Sequence, residues 1–363
     1  MTWSRLPLGI AALGIIGCTI GLVLAPVELA RAWLVATTTL MGLPLGAMVL
    51  LMLFVLTGGR WGAAARPALT AMAMTLPAML LLFLPLLGAI PALLPFLAAS
   101  PDTLPERVVG KLAYLAPGWI VLRTLVVFAL WLVSALLLGL MPWRMRITEK
   151  TGAVIGLALY ALALTVFTTD WMQALEPEFS STIYAMMVAG TQILGALAAG
   201  VVMLRGTGRL ASSGGEPEAP LGDDLGRLLI SGILGFVYLA YMQWLIIWIG
   251  DLPPEAAWYL ARDAWPWPVA FWVMLLAYAV VPFLALLLGS VRRDPKRLTA
   301  VTTVMLVGYA AEAVWRVAPA FNPNGTYLLL MAAAFAATGG LFVMALDWQW
   351  RHGLVAAEAR HVR

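Results

Sequence analysis

Ten apolar runs, each long enough to cross a bilayer, limit the folds open to this chain more than any other feature. A helix needs about 20 apolar residues to span roughly 30 Å of hydrocarbon. The runs are Leu6–Leu24, Trp33–Leu56, Pro67–Leu87, Gly118–Met141, Thr151–Thr169, Ser181–Leu204, Leu228–Ile249, Val269–Gly289, Leu298–Ala318 and Thr326–Leu346. Because lipid offers no partner for backbone polar groups, each run should be a helix. We therefore predict an all-α polytopic membrane protein with about ten transmembrane helices.

The composition excludes a soluble domain, since 63% of the 363 residues are hydrophobic and only 11% are charged. The net charge of +4 would suggest a nucleic-acid partner in a soluble chain. In a membrane protein the excess of lysine and arginine is explained by topology. We predict membrane lipids as neighbours and no nucleic-acid binding.

The basic residues predict the orientation. With ten helices both termini lie on one side, which carries Arg5, Arg60, Arg66, Arg144, Arg146, Lys150, Arg205, Arg209, Arg227, Arg292, Arg293, Lys296, Arg297, Arg351, Arg360 and Arg363. The other side carries only Arg31, Arg107, Lys111, Arg123, Arg262 and Arg316. The positive-inside rule places both termini in the cytoplasm, in the inner membrane of a bacterium.

Two features at the N-terminus and in the middle of the chain affect its division. Arg5 and the Ile15–Cys18 stretch resemble a secretory signal loosely, but the apolar run continues to Leu24, which favours a retained helix. The glycine-rich, acidic stretch 205–227 is predicted to be a flexible cytoplasmic linker. It would separate an N-terminal helix group, 1–204, from a C-terminal group, 228–350, followed by a cytoplasmic tail, 351–363.

Metal ligands are scarce. Cys18 is the only cysteine, and both histidines, His352 and His361, lie in the C-terminal tail. An internal disulfide, a cysteine-ligated cluster and a bis-histidine haem are therefore excluded within the membrane part. We predict that this chain holds no metal or cofactor of its own, so any redox group must diffuse in or belong to a partner.

The stretch 170–184 places three carboxylates between two long apolar runs, on the predicted periplasmic side. Pro177 should end a helix, and Ser180 or Ser181 should cap the next one. Asp170 and Glu176 precede that turn, at headgroup depth. Capping is one explanation for these acids, and a proton path that also includes Glu312 is the other, because carboxylates near a membrane surface exchange protons readily.

A second aromatic and charged region follows the seventh run. The helix breaks at Gly250 and at Pro253–Pro254, and a short amphipathic segment follows. Its candidate residues for docking a periplasmic partner are Asp251, Trp258, Tyr259 and Arg262. Interfacial anchoring explains the same aromatic residues, whereas tryptophan, tyrosine and arginine are also typical of protein interfaces.

Glu312 and Arg316 lie four residues apart in the ninth run, with the acid on the N-terminal side. This spacing predicts an ion pair on one helix face. A carboxylate in hydrocarbon normally pairs, stays protonated or lines a water path. A purely structural pair and a proton-handling pair are both consistent with the pattern.

Three segments together carry a resemblance to a known family. The first segment contains Asp170-Trp171, Leu175-Glu176-Pro177 and Ser181–Tyr184. The second contains Gln243, Leu245–Trp248, Leu252-Pro253, Glu255, Trp258-Tyr259 and Arg262. The third contains Glu312, Trp315 and Pro319. In this order, over about residues 151–320, they resemble the ActF subunit of bacterial alternative complex III. One departure is that the family has histidine and tryptophan where this chain has Glu178 and Phe179.

The resemblance implies an NrfD-like helix bundle that serves as a membrane subunit of a quinol:electron-acceptor oxidoreductase. It implies a sister NrfD-like membrane subunit, and periplasmic partners that carry haem c and iron–sulfur clusters. Quinol or quinone would be the membrane substrate of such a complex, and catalysis by this chain alone is not expected.

A secondary transporter is the alternative function. Ten helices and an intramembrane Glu312–Arg316 pair are compatible with transport. Transporters usually have helices broken near the midplane and repeated halves, whereas here the polar residues cluster near one end of the helices.

Overall fold

The computed structural model describes residues 6–138, 148–206, 210 and 221–352, and these residues form helices without a strand. The helices are α1 Leu6–Leu24, α2 Pro26–Thr57, α3 Arg60–Ala73, α4 Leu76–Phe83, α5 Ile90–Leu93, α6 Glu106–Leu112, α7 Pro117–Leu137, α8 Glu149–Trp171, α9 Tyr184–Gly206, α10 Leu221–Ile249, α11 Pro253–Leu260, α12 Trp267–Met274, α13 Val281–Leu287, α14 Gly289–Arg292, α15 Pro295–Val317 and α16 Gly325–His352. Short 3-10 helices lie at Leu84–Ala89, Pro95–Ala98, Pro101–Thr103, Gln173–Leu175 and Ala318–Ala320.

Ten helical spans among the described residues are long and apolar enough to cross a membrane, which confirms the predicted fold class. Two spans are interrupted. The third, Arg60–Leu93, consists of α3, α4, a 3-10 helix and α5, because Pro77, Pro85 and Pro91 each remove a backbone donor. The eighth contains a π-helical turn, Leu275–Val280, between α12 and α13. We call the end of the bundle that holds Asp170 and Arg262 the predicted periplasmic end.

The centre of the bundle is formed by α2 and α9, the two most buried spans. They approach closely where small residues face polar side chains. A side chain on Gly42 would collide with the hydroxyl of Tyr309, and one on Gly46 would collide with the backbone of Gln192. Small residues allow such contact between membrane helices. As a result, α2, α9 and α15 pack tightly around Tyr309.

The last span packs on the first. A Cβ atom on Gly340 of α16 would lie 2.6 Å from Cβ of Ala11 in α1, and Gly14 of α1 touches the backbone of Ala337. α16 also packs along α2. Helices from the N-terminal and C-terminal sequence groups therefore lie against one another.

The predicted linker, 205–227, is helical at both ends, so its predicted boundaries are wrong. α9 continues to Gly206 and α10 begins at Leu221, while 207–209 and 211–220 lie outside the described residues. The early start of α10 has a physical cause in Asp223, which is fully buried. Its carboxylate accepts from Nε of Arg292 and from Nη2 of Arg227, both at 2.7 Å. Of the predicted tail, Arg351 and His352 belong to α16 and the rest lies outside the described residues.

Candidate functional site

The acidic stretch forms the connection between α8 and α9. α8 ends at Trp171, a 3-10 turn covers Gln173–Leu175, and α9 begins at Tyr184. The side chain of Gln173 accepts from the backbone N–H of Ser181 at 2.9 Å, and Ser181 Oγ bonds Gln243 Oε1 of α10 at 2.7 Å. The predicted capping role of Ser181 is therefore replaced by a contact that fastens the connection to α10.

Asp170 forms a paired contact with an arginine of the neighbouring helix. Arg123 of α7 donates from Nε to Oδ2 at 2.8 Å and from Nη2 to Oδ1 at 3.0 Å. Asp170 is 1% exposed, and the Arg123 guanidinium lies 3.8 Å from the centre of the Tyr114 ring. Both carboxylate oxygens are thus occupied, and Asp170 joins α8 to α7 instead of capping a helix.

Glu176 forms a second paired contact, with Arg262. Arg262 donates from Nη1 to Oε1 at 3.2 Å and from Nη2 to Oε2 at 2.9 Å. It also donates to the backbone carbonyls of Trp258, Trp315 (3.2 Å) and Arg316 (2.8 Å). One guanidinium therefore ties the α8–α9 connection, α11 and the end of α15 together, and its charge is compensated by paired, charge-assisted hydrogen bonds.

Aromatic rings enclose this arginine. The guanidinium carbon of Arg262 lies 3.3 Å from the centre of the Trp258 ring, on the face of an aromatic cluster. Trp258 stacks on Phe179 at 5.1 Å and meets Trp315 edge to face at 5.3 Å. The rings shield Arg262 from water, which strengthens its electrostatic interaction with Glu176, whose side chain is 21% exposed.

The prediction that Trp258 and Arg262 present a docking surface is wrong. Trp258 is 3% and Arg262 is 2% exposed, because the pair with Glu176 and the aromatic stack turn both side chains into the bundle. Tyr259 is half-buried, and its hydroxyl accepts from Gln243 Nε2 at 3.3 Å. Asp251 is exposed, at a turn with φ of 45°. Of the predicted docking residues, Asp251 alone is fully accessible.

The ion pair predicted between Glu312 and Arg316 is present and buried. Arg316 also donates from Nη2 to Thr191 Oγ1 of α9 at 2.8 Å. Glu312 uses Oε1 for the ion pair, whereas its buried Oε2 has no hydrogen-bond partner among the described residues. Unlike Asp170 and Glu176, this carboxylate has an oxygen free for another donor.

A small polar cavity adjoins Glu312. Its volume is about 20 Å³, and its wall includes Thr38, Thr39, Thr191, Gln192 and Tyr309. This is enough space for one water molecule, which needs about 10–15 Å³ and polar partners. Three buried tyrosine hydroxyls donate to residues that line this cavity. Tyr160 donates to Gln192 Oε1 at 2.8 Å, and Tyr278 donates to the backbone carbonyl of Thr191 at 2.9 Å. Tyr309 donates to the backbone carbonyl of Thr39 at 2.5 Å.

The structure brings two of the three predicted proton-path carboxylates into one network. Glu176 reaches Arg316 through Arg262, whose Nη2 donates to the Arg316 carbonyl. Glu312 joins through the side chain of Arg316. Asp170 belongs to a separate pair on α7 and α8, although Met172, two residues further on, lines the Glu312 cavity.

Three residues of the site outside the spans have shifted acid–base behaviour. Burial, followed by the charge of Arg107, lowers the pKa of Lys111, which donates to the carbonyl of Pro177 at 2.6 Å and to Ser180 Oγ at 2.9 Å. Burial also raises the pKa of Tyr259 and, together with the nearby Asp170 charge, that of Tyr114. Lys111 thus holds the connection with a positive charge that its surroundings disfavour.

Sequence reasoning missed Arg123 and Lys111 as members of the site, and it named Gln243 only as part of the family resemblance. Arg123 offered a signal, since it is the one charged residue inside the apolar run Gly118–Met141, where a charge normally has a partner. Lys111 offered none, because polar residues near helix ends are common.

Comparison with protein-family models gave no match, and a search of curated proteins gave no significant match. Within the described ranges there is no group of three or more histidine, cysteine, aspartate or glutamate residues placed to hold a metal ion. The chemistry of this end of the bundle therefore rests on carboxylates, arginines and hydroxyl groups.

Proposed function

We propose that this chain is a membrane subunit of a quinol:electron-acceptor oxidoreductase, similar to the ActF subunit of alternative complex III, and that it contributes proton transfer. The observation that carries the proposal is Glu312, which has an oxygen without a partner among the described residues and lines a small polar cavity that Met172 of the α8–α9 connection also lines. The three sequence segments of the resemblance meet at Arg262, which donates to Glu176 and to the carbonyl of Trp315.

Glu312 is the proposed proton carrier of this subunit. Its Oε2 can accept a proton from, or donate one to, a water molecule in the cavity, while Oε1 stays with Arg316. A general acid or base must reach its proton partner directly or through one water. Glu176 and Asp170 have both oxygens held by arginine, so their proposed role is to keep the route to the surface charged and ordered.

The proposed docking surface for a redox partner shifts to the exposed side of the same region. Leu260 is 67% and Trp265 is 77% exposed, and Asp251 and Asp263 lie beside them in the sequence with exposed side chains. A surface that combines an exposed tryptophan with acids at its edge is typical of protein interfaces. Trp258 and Arg262 would support this surface from below.

Purification from the native membrane tests the assignment to a complex. A tagged chain should be recovered with partner subunits that carry haem c and iron–sulfur clusters, visible in the absorption and paramagnetic resonance spectra, and with a sister membrane subunit. A chain recovered alone and colourless, with substrate uptake in liposomes, would support a secondary transporter instead.

Proton release per electron tests the role of Glu312. The complex is placed in liposomes with a quinol, and Glu312→Gln is compared with Asp170→Asn and Glu176→Gln. We expect Glu312→Gln to lower the proton-to-electron ratio. Asp102→Asn is the matched control, because Asp102 is an exposed acid at the same end, outside the proposed docking surface, and should leave the ratio unchanged. An unchanged ratio in an assembled Glu312→Gln complex would contradict the proposed role.

A further inference from the structure

Arg31, in the second turn of α2, has no carboxylate partner among the described residues. The other arginines of the predicted periplasmic end each have one: Arg107 with Glu255, Arg123 with Asp170, Arg262 with Glu176 and Arg316 with Glu312. Nε of Arg31 is buried and has no hydrogen-bond partner in the part of the chain that the structure describes. A buried charged donor of this kind calls for an acceptor from outside the chain.

A second buried donor lies beside it. Tyr327 of α16 is 1% exposed, and its hydroxyl has no partner within the described residues. Phe321 places the two together: the Arg31 guanidinium carbon is 5.3 Å from the Phe321 ring centre, and the Tyr327 ring centre is 6.1 Å from it. Arg31 and Tyr327 thus contact the same ring from separate helices, and each has a buried donor without a partner among the described residues, which favours an anion that both can bind.

An apolar cavity lies beside the first turns of α2, where its lining includes Ala30, the neighbour of Arg31 in the sequence, but neither Arg31 nor Tyr327. It lies between α1, α2 and the segment 85–92, has a volume of about 540 Å³, and is lined by residues such as Leu22, Val27 and Leu86. Ligand sites in proteins usually measure about 300–1,000 Å³. Trp33, on the cavity wall, already donates its indole N–H to the carbonyl of Leu82 at 2.7 Å. The cavity therefore suits a hydrocarbon chain.

Arg31 lies beside the cavity lining along α2. Val27 lines the cavity, and Arg31 follows four residues later on the same helix face. Arg31 is five residues into α2, which starts at Pro26, or roughly 7.5 Å along the helix axis. Arginine side chains near the end of a membrane-spanning helix reach toward the lipid headgroups.

We propose that Arg31 and Tyr327 bind the phosphate of an anionic phospholipid whose acyl chain lies in the cavity between α1, α2 and the segment 85–92. The lipid phosphate would be the acceptor for Arg31, which is the only arginine of the predicted periplasmic end without a carboxylate partner in the described part of the chain. The lipid would also fill the space beside α1. The proposal does not depend on the proposed oxidoreductase function, since it rests on other residues.

Native mass spectrometry of the purified full-length chain, or of the complex in which it purifies, tests this site. Phosphatidylglycerol and phosphatidylcholine with the same acyl chains are titrated, and inorganic phosphate is tested as a competitor. We expect the wild-type protein to bind phosphatidylglycerol more tightly. Arg31→Gln should weaken phosphatidylglycerol binding roughly tenfold, and Tyr327→Phe, which keeps the ring, roughly threefold.

Two further variants separate headgroup from chain. Val27→Trp fills the cavity and should weaken both lipids alike. Arg66→Gln removes an exposed arginine of α3 and should change neither. Equal binding of the two lipids by the wild-type protein, or unchanged phosphatidylglycerol binding in Tyr327→Phe and Arg31→Gln, would overturn the proposal. Displacement of phosphatidylglycerol by inorganic phosphate would overturn it as well, in favour of a free anion. Should Arg31→Gln fail to fold, Tyr327→Phe still decides.

Discussion

Arg262 and Arg316 are both buried arginines at the predicted periplasmic end, yet their partners differ in number. Arg262 engages both oxygens of Glu176 and three backbone carbonyls. Arg316 engages one oxygen of Glu312 and the hydroxyl of Thr191, and the second Glu312 oxygen remains free among the described residues. Both oxygens of Glu176 therefore have a hydrogen-bond partner, whereas one oxygen of Glu312 has none among the described residues.

This difference separates a structural tie from a group that can react. A fully compensated ion pair stabilises one arrangement, because any change leaves a buried charge without a partner. A carboxylate with a free oxygen and space for water can bind a proton on that oxygen while its other oxygen keeps the hydrogen bond to arginine, although the neutral acid then no longer balances the arginine charge. Neighbouring arginines in one membrane protein can therefore have opposite roles.

Replacing Arg262 with alanine should have the largest effect on stability. The change leaves Glu176 and three carbonyls without their donor and should cost about 3–5 kcal/mol, as breaking a buried ion pair does. Unfolding can be followed with a fluorogenic thiol reagent, since Cys18 is buried and is the only cysteine. Arg297→Ala is the control, because that side chain is 62% exposed and should change stability by at most about 1 kcal/mol. Equal losses of unfolding free energy in the two variants would contradict the interpretation that the Arg262–Glu176 pair stabilises the fold.

A double-mutant cycle on Asp170 and Arg123 should give a coupling free energy smaller than the stability lost in Arg262→Ala. The pair is bidentate but the Arg123 side chain is 20% exposed, so water screens it in part. Asp170→Asn, Arg123→Gln and the double variant should give a coupling of about 2 kcal/mol in denaturant unfolding. A coupling near zero would mean that the two residues contribute independently.

Gly195→Ala should disturb the site around Glu312 through packing alone. Its Cβ atom would lie 2.6 Å from the ring of Tyr309, which lines the Glu312 cavity, and overpacking should cost about 1–2 kcal/mol. Gly190→Ala on the same helix is the matched control. Its Cβ atom would meet nothing closer than Leu239 at 3.9 Å, so we expect no loss or a small gain in melting temperature. A loss in both variants would point to a property of α9 as a whole.

Asp294 gives the smallest expected effect, at the opposite end of the bundle. It caps α15 by accepting from the N–H of Lys296 at 2.7 Å, and that hydrogen bond lowers its pKa below the ordinary 3.8. Its contribution should therefore be complete above pH 3.8 and be lost as the pH falls through the lowered pKa. Asp294→Ala should lower the melting temperature slightly at neutral pH, and Asp294→Asn, which keeps a capping oxygen, should lower it less. If both variants melt at the same temperature as the wild-type protein, the cap contributes nothing.

The ten spans could be predicted from the sequence because the need to satisfy the backbone in lipid leaves helices as the main solution. Within the site, the Glu312–Arg316 pair was predictable, since residues four apart share a helix face. The pairs Arg123 with Asp170 and Arg262 with Glu176 join residues 47 and 86 positions apart. Nothing in local spacing selects such partners, because they depend on how whole helices pack.

The burial of Trp258 and Arg262 shows a second limit of sequence reasoning. A short amphipathic helix at the membrane surface carries aromatic and basic residues whether its polar face turns outward to a partner or inward to the protein. Here Glu176, in a different connection, attracts Arg262 inward. The direction of such a helix is decided by charges that lie elsewhere in the sequence.

The packing of α16 on α1 has a consequence for biogenesis. Among the described spans, α1 is synthesised first and α16 last. The small-residue face of α1 around Gly14 is therefore in contact with lipid until the intervening spans have been inserted. The bundle closes only when Gly340 reaches Ala11. Chains that stall before α16 would therefore leave the faces of α1 and α2 that α16 covers exposed to lipid.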